Sequence, residues 1–274
     1  MNAVPLILYA AAMIAYAWHF ARRNPIVGRS ATTLLVFGAL AHTFVIGMLT
    51  MELGHVPVTG ATSAISTFVW LLALSYLYTE MVTDERAMGV FILPLIVALQ
   101  TIPALRPSVE VSSDVLRGPL FGVHVSSLLF AYASFALACV LGITYMLQFK
   151  EIKAKHLGFF YTRLPSLQVL DRMNHVAIVI GWIFLTIGVI VGFVWAAQAR
   201  SYAAGSPQVQ AMSVADPKIL VAIVCWVIYS FELFAARLIG WGGRKTAYLS
   251  LIGFSVVLFN FVAISYFLTK SHNF

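Results

Sequence analysis

The chain has 274 residues, of which 61% are hydrophobic and 10% charged, with a mean hydropathy of +0.92 and a formal charge of +7. A soluble domain carries about 25% charged residues, so neither a water-facing enzyme nor a disordered chain fits. The positive charge does not point to nucleic acid: Lys and Arg in an apolar chain chiefly set membrane topology, and no basic patch with interleaved aromatics occurs.

At about 20 apolar residues per bilayer crossing, the sequence predicts an all-α, polytopic membrane protein of about eight transmembrane helices. The spans fall near residues 3–20, 31–51, 62–79, 87–104, 119–148, 174–198, 217–238 and 246–269, forming one membrane domain over 1–274. The first run, Val4–Phe20, lacks a basic stretch before it and a small-residue cleavage site after it. It reads as a membrane helix and not as a removable signal peptide. Pro94, inside the fourth span, is expected to kink it. Gly188 and Gly192, in the sixth, form a small-xxx-small pair that lets a neighbouring helix approach closely. Between the fifth and sixth spans, Leu164, Leu167, Leu170 and Met173 recur at helical spacing beside Arg163 and Arg172. This reads as an amphipathic segment lying on the inner membrane surface.

Alternate loops differ sharply in charge. Arg22, Arg23, Arg29, Arg86, Lys150, Lys153, Lys155, Arg163, Arg172, Arg237, Arg244 and Lys245 fall on one side, and Arg106, Arg117, Arg200, Lys218 and Lys270 on the other. Twelve against five places both termini outside and the loop from Lys150 to Arg172 in the cytoplasm.

Ionisable groups inside a bilayer are costly and therefore candidates for function. His42 and Glu232 are the two assigned to the membrane interior, His19 to an interface, His175 and His156 to the basic side, and His55 to a short outer loop. His124 and His272 both fall outside. Two imidazoles at matched depth would ligate a metal or haem iron axially. The alternative is that His124 hydrogen-bonds at a helix end and His272 is a frayed terminal residue. Cys139 and Cys225 lie in apolar runs, which argues against a disulfide framework or a zinc site. No C-x-x-C-H, H-x-x-x-H, E-x-x-H or Walker A pattern occurs, so covalent haem attachment, a di-metal centre and a built-in ATPase lack their residues.

Several stretches resemble the cytochrome c assembly family of CcsA, CcmC and HemX proteins. They are Pro119-Leu-Phe-Gly-Val-His124, Leu128–Phe135, Arg163–Leu167, Leu170–Asn174, Ile180-Gly181, Leu185–Gly188, Gly192–Ala196 with Trp195, Asp216-Pro217-Lys218, Trp226–Tyr229, Arg237, Gly240-Trp241 and Ile252–Phe254. The likeness is strong over residues 115–274 and loose over the four helices of 1–110. It implies a multi-pass protein of the bacterial cytoplasmic membrane that binds haem b non-covalently at the outer face and delivers or transports it. Apocytochrome c, or another cytochrome-assembly or haem-synthesis protein, would be the partner, and nucleic acid would not. The family's outer histidines flank a tryptophan-rich loop, the WWD domain; His124 matches the one before it and His272 the one after. Asp216 is the acidic residue of that loop, His42 matches a membrane-embedded histidine, Trp195 belongs to the cofactor-facing set, and Arg106, Arg117 or Lys218 would pair with propionates.

Two departures stand out. Val209, Ser213 and Ala215 occupy positions where tryptophans are expected, and Ala235-Ala236-Arg237 stands where a CcsA-type helix carries a histidine. Both resemble the shorter HemX and YpjD-like branch and argue against cytochrome c synthetase activity by this chain. A non-catalytic HemX-like partner of tetrapyrrole-synthesis or cytochrome-assembly proteins is the alternative, and a small-solute transporter a weaker one.

Overall fold

The computed structural model describes residues 2–106, 118–155, 158–203 and 217–259. Among these, the chain is helical almost throughout: α1 (Ala3–Arg22), α2 (Pro25–Leu53), α3 (Ala61–Thr83), α4 (Gly89–Leu105), α5 (Pro119–Lys153), α6 (Phe159–Arg163), α7 (Leu167–Ala203), α8 (Pro217–Leu238) and α9 (Arg244–Phe259). α1, α2, α3, α5 and Leu167–Gln198 of α7 are long and apolar enough to cross a membrane, while Gly89–Leu105 and Ile219–Ala235 are shorter apolar helices. The protein is a multi-pass membrane protein. The last predicted span is described as far as Phe259, and the rest of 246–269 lies outside the described residues.

The turns 23–24, 84–88, 164–166 and 239–243 lie at one end, the basic end, and 54–60 lies at the other. Local chemistry explains several boundaries. α2 starts at Pro25, earlier than the predicted residue 31, because Asn24 caps it: its side-chain oxygen accepts from the backbone N–H of Ile26 at 2.9 Å and of Val27 at 3.4 Å, with proline at the first helical position. Both are strong helix-start signals. α2 ends at Gly54, whose φ of 74° closes the helix through a bond from its N–H to the Thr50 carbonyl.

One expectation is corrected. The 164–173 segment does not form a separate surface helix: from Leu167 it runs continuously into α7. Leu164, Leu170 and Met173 are buried at 4%, 0% and 0% exposure in the protein core. Its apolar stripe packs against protein, not lipid.

The most extensive helix pair is α5 against α7. Their antiparallel register is legible from the side chains that meet. Phe121 faces Trp195, His124 faces Gly192, Leu128 faces Gly188 and Phe135 faces Gly181. In each pair the two residue numbers have the same sum. Phe121, Leu128 and Phe135 are seven apart, as are Gly181, Gly188 and Trp195, which is the repeat of a coiled-coil seam. Phe135 also stacks on Tyr229 of α8, with ring centroids 3.5 Å apart, and Tyr229 in turn lies against Gly253 of α9. The later helices are thus threaded onto α5.

The first four helices pack around tyrosines. Tyr9 sits against Gly38, and Tyr16 against Gly89. At the basic end a buried carboxylate, Glu80, accepts hydrogen bonds from Tyr16 at 2.6 Å and from Thr32 at 2.5 Å, with Arg86 Nε 3.8 Å away. Glu80 therefore ties α1, α2 and α3 together. Removing one donor leaves a buried acceptor short of a partner, at about 1–3 kcal/mol. Tyr16→Phe is accordingly expected to lower the thermal unfolding midpoint of the detergent-purified protein by several degrees. Thr33→Val, at an exposed residue bonded to its own helix, should leave it unchanged.

Candidate functional site

Gly118 and Pro119 start α5, proline again taking the first helical position. That start sets His124 between the first and second turns of the helix, on the face turned to α7. A Cβ on Gly192 would lie 2.5 Å from His124 Cε1 and 2.6 Å from Nδ1. The imidazole therefore occupies volume that any other residue at 192 would fill. From that position Nδ1 lies 2.7 Å from the Gly188 carbonyl oxygen. A carbonyl only accepts, so the proton resides on Nδ1 and the lone pair on Nε2. The ring is held on its far side by Trp195, nearly parallel at 14° with centroids 6.2 Å apart, and Phe121 packs on the same indole at 5.2 Å. Phe121 and His124 are one turn apart on α5, as are Gly192 and Trp195 on α7, so two short ladders enclose one half-buried imidazole.

A histidine whose Nδ1–H is held by a backbone carbonyl is oriented and made more basic at Nε2, the arrangement that metal-ligating histidines commonly adopt. The side chains beside it, Trp195 and Phe121, are aromatic, and an imidazole nitrogen is a suitable donor for haem iron. On this observation His124 fits the group that the sequence resemblance implies.

The structure brings together two of the residues singled out from sequence, His124 and Trp195. Gly188 and Gly192, expected to admit a neighbouring helix, do so: Gly188 admits Leu128, and Gly192 admits the imidazole itself. His42 lies elsewhere and is fully buried. Its Nδ1 is 3.2 Å from the Tyr9 hydroxyl and its Nε2 2.9 Å from the Ser66 hydroxyl. Both nitrogens are engaged, so His42 bridges α1, α2 and α3. Arg106 is the exposed C-cap of α4. Lys218 lies in the first turn of α8, with its side chain outside the described set, and Arg117, Asp216, His272 and His156 lie outside the described residues.

Two polar sites escaped the sequence reading. Glu80 stands one residue beyond the predicted end of the third span, yet the helix continues to Thr83 and buries it to 1% exposure. Tyr76 and Glu80, one turn apart, were the available signal. At the basic end, Asp171 and Asn174 join Glu232 around a cavity between α7, α8 and α9. His175, assigned to the basic side, is a half-buried residue of its wall.

Comparison with known proteins agrees with this architecture. The chain is 25% identical over 266 residues to Protein HemX of Bacillus subtilis, covering 95% of this chain and 92% of that protein. It is likewise 25% identical over 265 residues to Protein HemX of Brevibacillus brevis, at 94% and 92% coverage. Cytochrome c biogenesis protein CcsA of Guillardia theta is 25% identical over 252 residues, at 84% and 80%. The profile of the family described as Cytochrome C assembly protein matches residues 5–272, so the likeness takes in the first four helices as well as the later core. The chain therefore belongs to the cytochrome c assembly protein family.

Proposed function

We propose that the protein handles haem in cytochrome c biogenesis, holding haem b non-covalently at the end of the bundle that contains His124 and passing it to a cytochrome-assembly partner or an apocytochrome. The observation that carries this reading is the fixed tautomer of His124: Nδ1–H is committed to the Gly188 carbonyl, leaving the Nε2 lone pair for iron. His272 would supply a second nitrogen to the iron, and Arg106, Arg117 or Lys218 the cations for the propionates. When bound, haem supplies a redox-active iron and the vinyl groups through which a cytochrome is later assembled. The chain's own work is to orient one imidazole, wall it with Trp195 and Phe121, and keep the surroundings apolar. His42 is left out of the ligand set because both its nitrogens already pair with hydroxyls.

The near end-to-end match to HemX proteins, together with the missing loop tryptophans, favours a second reading: a membrane partner without synthetase activity. Haem occupancy separates the two.

Detergent-purified protein, supplied with haemin, is expected to show a Soret band and sharp α and β bands on reduction. His124→Ala and His272→Ala should each lose or shift these bands, whereas His42→Ala, provided that it folds, should keep them. Gly192→Ala, which pushes a methyl into the imidazole, should weaken haem retention by roughly 10–100-fold, the usual scale for disturbing the support of a metal ligand. A parent protein that takes up no haem would overturn the haem reading and leave the partner reading standing.

A further inference from the structure

At the basic end, the last turns of α5 run antiparallel to the first turns of α9. Gly142 lies against Ala247, and Gly243, just before α9, lies against the Tyr145 hydroxyl. Tyr145 and Phe149, one turn apart, stack at 10°. Two consecutive cations sit over aromatic rings here. The Arg244 guanidinium carbon is 5.5 Å from the Phe149 centroid, and Lys245 Nζ is 4.5 Å from that of Trp241. Both side chains are exposed, so the rings steady them while the charged heads stay at the surface. Lys153, also exposed, follows Phe149 by one turn on the same face of α5.

The carboxylates of these elements are already occupied. Asp171 accepts from the Gly243 N–H at 2.8 Å and the Thr246 hydroxyl at 3.1 Å, and Glu151 accepts from the Tyr161 N–H at 2.8 Å. The mouth of the α5–α9 groove is therefore positive. Away from the mouth the surface turns apolar. Arg244, Tyr248 and Ile252 recur every four residues along one face of α9, and all three are exposed. A cationic rim continuous with an apolar track in a membrane-spanning bundle fits a phosphodiester joined to an acyl chain. Free phosphate or a soluble acidic peptide would use the rim alone. Aromatic residues mark the headgroup level of membrane helices, and basic pockets between such helices take anionic headgroups.

We infer that the groove between the end of α5 and the start of α9 binds an anionic phospholipid, its phosphodiester at Arg244 and Lys245 and its acyl chain along Tyr248 and Ile252. The site is independent of haem: Phe149 and His124 are 25 residues apart on α5, roughly 38 Å at 1.5 Å per residue.

The test is native mass spectrometry of the full-length protein released from detergent, after titration with phosphatidylglycerol or phosphatidylcholine of identical acyl chains. The parent should retain phosphatidylglycerol about 10-fold more tightly, the scale set by two cations at an anionic membrane surface. Arg244→Gln/Lys245→Gln, which alters only exposed side chains, should abolish that preference, and Arg244→Gln alone should lose part of it. Arg22→Gln/Arg29→Gln, at exposed cations of α1 and α2, should leave it unchanged. Gel filtration checks that each variant is monodisperse. Glycerol 3-phosphate, a headgroup without chains, should not displace the lipid at equal concentration. Equal retention of the two lipids, a preference that survives the loss of Arg244 and Lys245, an equal loss in the Arg22 and Arg29 variant, or displacement by glycerol 3-phosphate would each overturn the inference.

Discussion

The close seam between α5 and α7 is the contact on which the rest of the molecule depends. In a bilayer, helices gain nothing from hiding apolar surface from water, so they associate through tight van der Waals packing and hydrogen bonds between small and polar residues. Here Gly181, Gly188 and Gly192 remove side chains from one face of α7, and Phe135, Leu128 and His124 of α5 occupy the space. The same seam carries Phe135 to its stack on Tyr229, and hence positions α8 and α9. Near the end of the seam away from the basic loops, the residue filling the glycine gap is an imidazole instead of a hydrocarbon. The close approach that builds the fold thus also orients the ligand. Widening the seam at 192 would disturb both.

Several buried polar side chains act as interhelical ties. His42 bonds to Tyr9 and Ser66, and Glu80 to Tyr16 and Thr32. Others, in both halves, keep polar atoms without a partner among the described residues: the Gln100 amide in α4 and one Glu232 oxygen in α8.

The fold was legible in the sequence because long apolar runs separated by charged loops leave few alternatives in a bilayer. His124, Trp195 and the glycine pair were legible as residues, but not as one constellation. The missing signal was the matched seven-residue spacing of Phe121, Leu128 and Phe135 against Gly181, Gly188 and Trp195, which sets the helix register. Two misreadings share a cause. The stripe of Leu164, Leu170 and Met173 has the periodicity of a membrane-surface helix, and only tertiary packing shows that it faces protein. Glu80 stands one residue beyond the predicted span 62–79, whereas Tyr16 and Thr32, distant in sequence, make its burial possible. His42, intramembrane and ionisable, drew attention as a ligand; its two hydroxyl partners come from other helices and are invisible to local pattern.

The central claim is that His124 presents Nε2 to iron from a socket built by α7. It is tested most directly by replacing the side chain and returning the imidazole in solution. His124→Gly protein, supplied with haemin, should lack the parent's reduced α and β bands and regain them when free imidazole is added. A His124→Gly protein that keeps the parent spectrum without imidazole would contradict the account.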